Sequence, residues 1–90
     1  MAKKIAVLVR GRQGEGLRMG LGLTLANDIV DVYVLDRQVE DTEGNRMNIQ
    51  MMGDMKIKVY TNHKGNKDME YISTEELAQK VLEYDHILPY

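Results

Sequence analysis

No cysteine occurs among the 90 residues. That single absence excludes disulfide cross-links, thiolate metal sites, thiol nucleophiles and persulfide carriage by this chain. Histidine is nearly as scarce. His63 and His86 are the only two, and no HxxxH-type spacing joins them, so neither a metal site nor a cofactor is expected. Long apolar runs are missing too. "IAVLV" and the glycine-broken "LRMGLGLTLA" fall far short of a membrane-spanning helix. The five apolar residues after Lys3 and Lys4 are too few for a signal peptide, so no membrane partner is expected and the location read from the sequence is cytoplasmic. Twelve basic residues against fourteen acidic ones leave a net charge of −2. Such a balance offers no general attraction to nucleic acid or to an anionic membrane surface.

What is present is enough for one domain, residues 1–90, with no repeat, linker or low-complexity tract to divide it. A chain of this length buries roughly 60–65% of the surface that its unfolded form exposes. Small domains offset so modest a core with disulfides, metals or oligomerisation. With the first two excluded, self-association is the route left.

Strand-like and helix-like segments alternate along the chain. "KKIAVLVR" (3–10) and "DVYVLD" (31–36) are continuous apolar runs rich in β-branched residues, as in strands covered on both faces. "KIKVYT" (56–61) alternates lysines with apolar residues, and "HILPY" (86–90) closes the chain. Pro89, the only proline, cannot donate to a ladder and assigns that last strand to a sheet edge. "MEYI" (69–72) is a candidate for a fifth, short strand. "LRMGLGLTLA" (17–26) fits two patterns. Leu17, Met19, Leu21, Leu23 and Leu25 alternate as in a strand, yet two parallel strands need a helical crossover between them. We read it as a helix, with its glycines allowing close approach to the sheet. "NRMNIQMMGDM" (45–55) spaces Met47, Met51 and Met55 four apart, with Met52 beside them. These methionines serve either as core filler or as an adaptable contact surface. "STEELAQKVLEYD" (73–85) opens on a capping box, Ser73 with Glu76. Its buried stripe is Leu77, Val81 and Tyr84, widened by Ala78 and Leu82, with Glu76 and Lys80 pairing outside. The fold expected is α/β: a flavodoxin-like three-layer sandwich on a parallel sheet of four or five strands. The first strand is central, in the order 2-1-3-4.

Ligand sites in such sheets lie outside the carboxyl ends of the strands. Here those ends are Arg10–Gly16 and Thr61–Gly65. The glycine-rich loop matches neither common nucleotide motif. Gly11 and Gly16 have the P-loop spacing, but Leu17 and Arg18 replace the lysine and hydroxyl residue. Gly14 and Gly16 begin a dinucleotide fingerprint that Met19 breaks. A small anion or metabolite held by Arg10, Gly11, Arg12, Gly14, Gly16, Thr61, Asn62 and His63 remains one reading, with Arg18 adding charge and Glu15 opposing it. The plainer reading is a strand-to-helix turn with solvated arginines. His63 has no second ligand or nucleophile beside it, so a loop histidine is the simpler account. Asp36 and Arg37 could line the same rim or merely pair at the surface. His86 reads as structural and "DTEG" (41–44) as a turn. No catalytic constellation is legible, and the chain reads as non-catalytic.

Four stretches resemble the DsrE/DsrF-like family of small sulfur-relay proteins: "KIAVLVRG", "LRMGLGLTLANDIVDVYVLDRQVE", "GDMKIKVYTN" and "ISTEELAQKVLEYDHILPY". The likeness spans most of the chain and consists of apolar pattern and a few glycines. It implies a flavodoxin-like fold and assembly into dimers, trimers or hexamers, alone or with DsrE-like partners, in sulfur transfer. Active members carry a persulfide-accepting cysteine after the third strand. Thr61, Asn62 and His63 occupy that region here, and their groups do not form the S–S bond of the relay. The resemblance therefore implies a non-catalytic subunit or adaptor.

Overall fold

The computed structural model describes residues 3–24, 29–66 and 69–90, and in it the segment of double pattern is a helix, α1 (Gln13–Thr24). It begins four residues earlier than the apolar pattern implied, and the helix end expected at Ala26–Asp28 lies outside the described residues. α1 joins β1 (Lys4–Val9) to β2 (Ile29–Val34), which run parallel with Ile5 opposite Val30 and Val9 opposite Val34. The chain continues through α2 (Glu43–Asp54), β3 (Lys58–Thr61), β4 (Glu70–Tyr71), α3 (Thr74–Lys80) with a 3-10 turn at Val81–Glu83, and β5 (His86–Pro89). Every strand pairing is parallel.

Alternation along the two inner strands divides the core into two. Ile5, Val7 and Val9 of β1 and Val30, Val32 and Val34 of β2 meet Leu17 and Leu21 of α1 and Met52 of α2. Ala6, Tyr33, Leu35 and Tyr60 face the other way, onto Leu77 of α3. Three layers result, as expected of an α/β sandwich.

The strand order is β4-β3-β2-β1-β5, which corrects the expected 2-1-3-4. β3 lies beside β2 rather than β1, β2 is the middle strand, and β5 takes the place beside β1. The faces that the helices cover supply the reason: α1 and α2 bury Leu17, Leu21 and Met52 in one core on the same side of the sheet. Parallel crossovers are right-handed, so α1 and α2 on one face must carry the chain in one direction, from β1 to β2 to β3. Only α3, on the opposite face, can return it past β1. Pro89 does sit on an edge strand, since β5 pairs with β1 alone.

Helix ends depart from the sequence reading where caps decide them. Thr42 caps α2, its hydroxyl accepting from the Asn45 N–H at 3.1 Å, so Glu43 and Gly44 belong to the first turn rather than to a loop. The Ser73–Glu76 capping box is present as expected. α3 is nevertheless shorter than 73–85: Tyr84 is already extended, while Ala78 and Leu82 are exposed and widen no buried stripe. Lys80 lies over the Tyr60 ring, and Glu76 serves the cap instead of pairing with it.

Candidate functional site

At the carboxyl end of the sheet, the loop after β1 aims three successive amides at one point. The N–H groups of Arg10, Gly11 and Arg12 stand 3.4, 3.1 and 2.9 Å from the main-chain oxygen of Tyr90. Consecutive amides of this kind form the concavity that elsewhere receives anions, and here its occupant is the chain's own oxygen. The loop glycines are not used for left-handed torsions, since no described glycine has a positive φ. Gly16 is instead a point of contact. A Cβ built there would stand 2.7 Å from Val9 Cγ2. The Arg12 guanidinium is 3.5 Å from Glu15 and lies over the Tyr90 ring, and Arg18 is exposed.

β2 separates the two halves of the expected crevice, and its end ties them together. Arg10 Nε is 3.1 Å from Asp36 Oδ2, the Asp36 N–H donates to Asn62 Oδ1 at 2.7 Å, and Asn62 Nδ2 reaches Asp36 Oδ1 at 3.3 Å. Asp36 holds φ at 70° to make these contacts, a left-handed conformation that aspartate tolerates better than most residues. Thr61 is buried and accepts from the His63 N–H at 3.0 Å. His63 Nδ1 accepts from the Gly65 N–H at 3.1 Å, so its ring braces the local turn. Arg10 and Asn62 are thus brought together through Asp36, whereas Thr61 and His63 bond to each other.

Sequence reasoning missed the buried amides behind this rim. Asn66 donates to Arg37 O and Thr61 Oγ1 and accepts from the Val39 N–H, at 3.1, 2.9 and 2.9 Å. Gln13 donates to Gln38 O and accepts from the Glu40 N–H, and Asn45 donates to Glu40 O. Together they satisfy the connector 37–40, which has no strand neighbour of its own. A polar residue inside a loop or a first helical turn leaves no periodic signal, so only contacts across the fold expose the role.

The methionines of α2 separate into two groups. Met52 is fully buried in the core, whereas Met47, Met51 and Met55 are 57%, 48% and 37% exposed. α2 presents Asn45, Ile49 and Met52 inward, leaving Met47 and Met51 on its outer face and Met55 at its C-cap.

At the opposite end of the sheet, the amino ends of β1, β2 and β3 border a cleft of about 380 Å³ lined by Lys4, Asp31, Lys56, Lys58, Lys80 and Tyr84, among others. Beneath it runs a chain of hydroxyls. The Asp31 carboxylate accepts from the Tyr84 hydroxyl at 2.6 Å, so the Tyr33 hydroxyl, 2.5 Å from Tyr84, donates to it. Tyr33 stacks on Tyr60 with centroids 5.0 Å apart and meets Tyr84 edge-on at 5.9 Å. Burial, then the bond to Asp31, push the Tyr84 hydroxyl far above the usual tyrosine range, and burial raises Tyr33 also. A raised acid favours the folded state below the unfolded value of about pH 10, and that contribution fades as pH climbs above it. Ultraviolet titration should therefore show the Tyr33 and Tyr84 phenolates appearing only as far-ultraviolet helix signal is lost. A Tyr84→Phe protein should lack part of that late phase. Complete ionisation of both tyrosines in a still-folded chain would contradict this arrangement.

Among the described residues no group of acids and histidines is placed to hold a metal ion, and no helix is long and apolar enough to cross a membrane. No protein-family model matches the chain, nor does any curated protein or solved structure. Its own chemistry is left to indicate what it does.

Proposed function

We propose that the chain is a non-catalytic, DsrE/DsrF-like oligomeric subunit or adaptor linked to sulfur metabolism. The α/β layering and parallel sheet are consistent with the fold that resemblance implies, and the lack of cysteine excludes persulfide carriage by this chain. One observation carries the assembly part: Met47 and Met51 stand exposed on α2, with Met55 at its C-cap, while the core contact of the helix is already made by Met52. Flexible thioether side chains adapt to a facing surface, and a second copy of this chain is the occupant proposed here.

Sedimentation velocity on purified protein is expected to show concentration-dependent self-association. Each half-exposed methionine contributes about 1 kcal/mol when covered. Met47→Gln with Met51→Gln, which keeps good helix formers in place, removes four methionine side chains from a symmetric pair of copies and should weaken association roughly 1,000-fold while leaving the far-ultraviolet helix signal of the monomer unchanged. A wild-type chain that stays monomeric at high concentration, or a double variant that assembles unchanged, would refute the role given to α2. The link to sulfur chemistry is tested separately, by native mass spectrometry of the complex drawn from its own cells. Partners carrying reactive cysteine persulfides would support it, and an assembly without any would count against it.

A further inference from the structure

We infer that the cleft at the amino ends of β1, β2 and β3 binds a small anion bearing two or more negative charges. Its volume of about 380 Å³ falls within the range of small-molecule sites, roughly 300–1,000 Å³. Four lysines line it, Lys4, Lys56, Lys58 and Lys80, against two carboxylates, Asp31 and Glu83. Neither acid neutralises the whole. Asp31 accepts from Tyr84, and Glu83 lies 4.0 Å from Lys4. Among the described residues, Lys56 and Lys58 have no ion-pair partner. Clustered charge of one sign in a concavity focuses potential and draws in counter-ions.

The remaining lysines are held rather than free. Lys4 Nζ stands 4.9 Å from the Tyr84 ring centroid and Lys80 Nζ 4.7 Å from that of Tyr60. Cation–π contacts of this kind fix an ammonium group while leaving its N–H donors available. The rings are themselves immobilised, by the Tyr33–Tyr60 stack and the Tyr33–Tyr84–Asp31 hydrogen bonds.

The turn that ends α2 sets Lys56 at the same cleft. Lys56 adopts φ 61°, a left-handed conformation suited to glycine and unfavourable for a long side chain. Glycine would fit the turn better, yet the position places an unpaired ammonium group at the cleft margin. The conformation itself closes α2: the Lys56 and Ile57 N–H groups return to Gly53 O and Met52 O at 3.1 and 2.9 Å, the usual left-handed helix end in which glycine is preferred.

Phosphate esters and polycarboxylates share the required charge, and two probes separate them: pyrophosphate and citrate. Isothermal titration of the full chain at low salt is expected to give one site per chain for at least one probe, weakening as salt is added. Lys58→Gln should lose about tenfold in affinity or more. Arg46→Gln, on α2 away from the cleft, should bind like wild type. Lys56→Gly should raise Tm while losing about tenfold in affinity, a combination that a merely structural lysine would not produce. The assignment is overturned if neither probe saturates in the millimolar range, if Arg46→Gln loses as much as Lys58→Gln, or if Lys56→Gly keeps full affinity. Met55 belongs both to the methionine stripe and to the cleft margin, so the titrations are run on dilute, monomeric protein, where anion binding is read apart from assembly through Met47 and Met51.

Discussion

Asn66→Leu is expected to destabilise the fold by about 3 kcal/mol, although leucine branches at Cγ as asparagine does and the site is buried. Three hydrogen bonds disappear, those to Arg37 O, Thr61 Oγ1 and the Val39 N–H. Arg37 O and the Val39 N–H are left facing an apolar side chain, while Thr61 Oγ1 keeps its bond from the His63 N–H, and each buried group without a partner costs about 1–3 kcal/mol. Hydrophobic gain from leucine offsets part of this, which is why the expected total lies near the lower end of the sum. For a chain of this length, total stability is about 5–13 kcal/mol, and each kcal/mol moves Tm by roughly 4–8 °C. Urea unfolding should show a lower midpoint with an unchanged slope. A loss below about 1 kcal/mol would mean that the connector 37–40 finds water when Asn66 is gone, and that the buried amides matter less than their geometry suggests.

Alanine at Gly16 and alanine at Gly22 should act in opposite directions, although both replace a glycine in α1. Helix propensity favours alanine by about 1 kcal/mol at either position. At Gly22 nothing lies within 4 Å of the added Cβ, so Gly22→Ala should stabilise by up to about 1 kcal/mol. At Gly16 the new atom would lie 2.7 Å from Val9 Cγ2 and 3.1 Å from Tyr90 Cβ. Val9 is fully buried and β-branched, with little freedom to turn aside. Overpacking of this kind costs about 1–3 kcal/mol, and pushing α1 off β1 would also loosen the Tyr90 contacts of the loop. A net loss of about 2 kcal/mol is expected for Gly16→Ala. Thermal unfolding of the two variants in parallel checks the sign, and equal shifts in one direction would disprove the close approach of α1 to the sheet.

These two expectations mark where sequence was readable and where it was not. Apolar periodicity located both inner strands, α1 and α3, and the need for a parallel crossover resolved the double pattern of "LRMGLGLTLA". The capping box and the edge position of Pro89 were legible because each is a local rule, satisfied within a few residues or by one missing N–H. The Met47–Met51–Met55 spacing was visible too, but not which methionine was inside. Met52, one residue from Met51, is the one the sheet covers.

Local chemistry therefore determined the α/β class, the succession of elements and, through the absent cysteine, the exclusion of thiol chemistry. Strand order, the filling of the loop after β1 by the Tyr90 oxygen, the amide pins at Gln13, Asn45 and Asn66, and the lysine cleft were decided only by the tertiary structure. Each of these joins residues far apart in the chain. Periodicity reports which face of an element is buried and carries no information about its neighbour. That choice followed from the faces the helices cover: α1 and α2 share one face, so right-handed crossovers step both the same way, and α3 on the other face returns the chain.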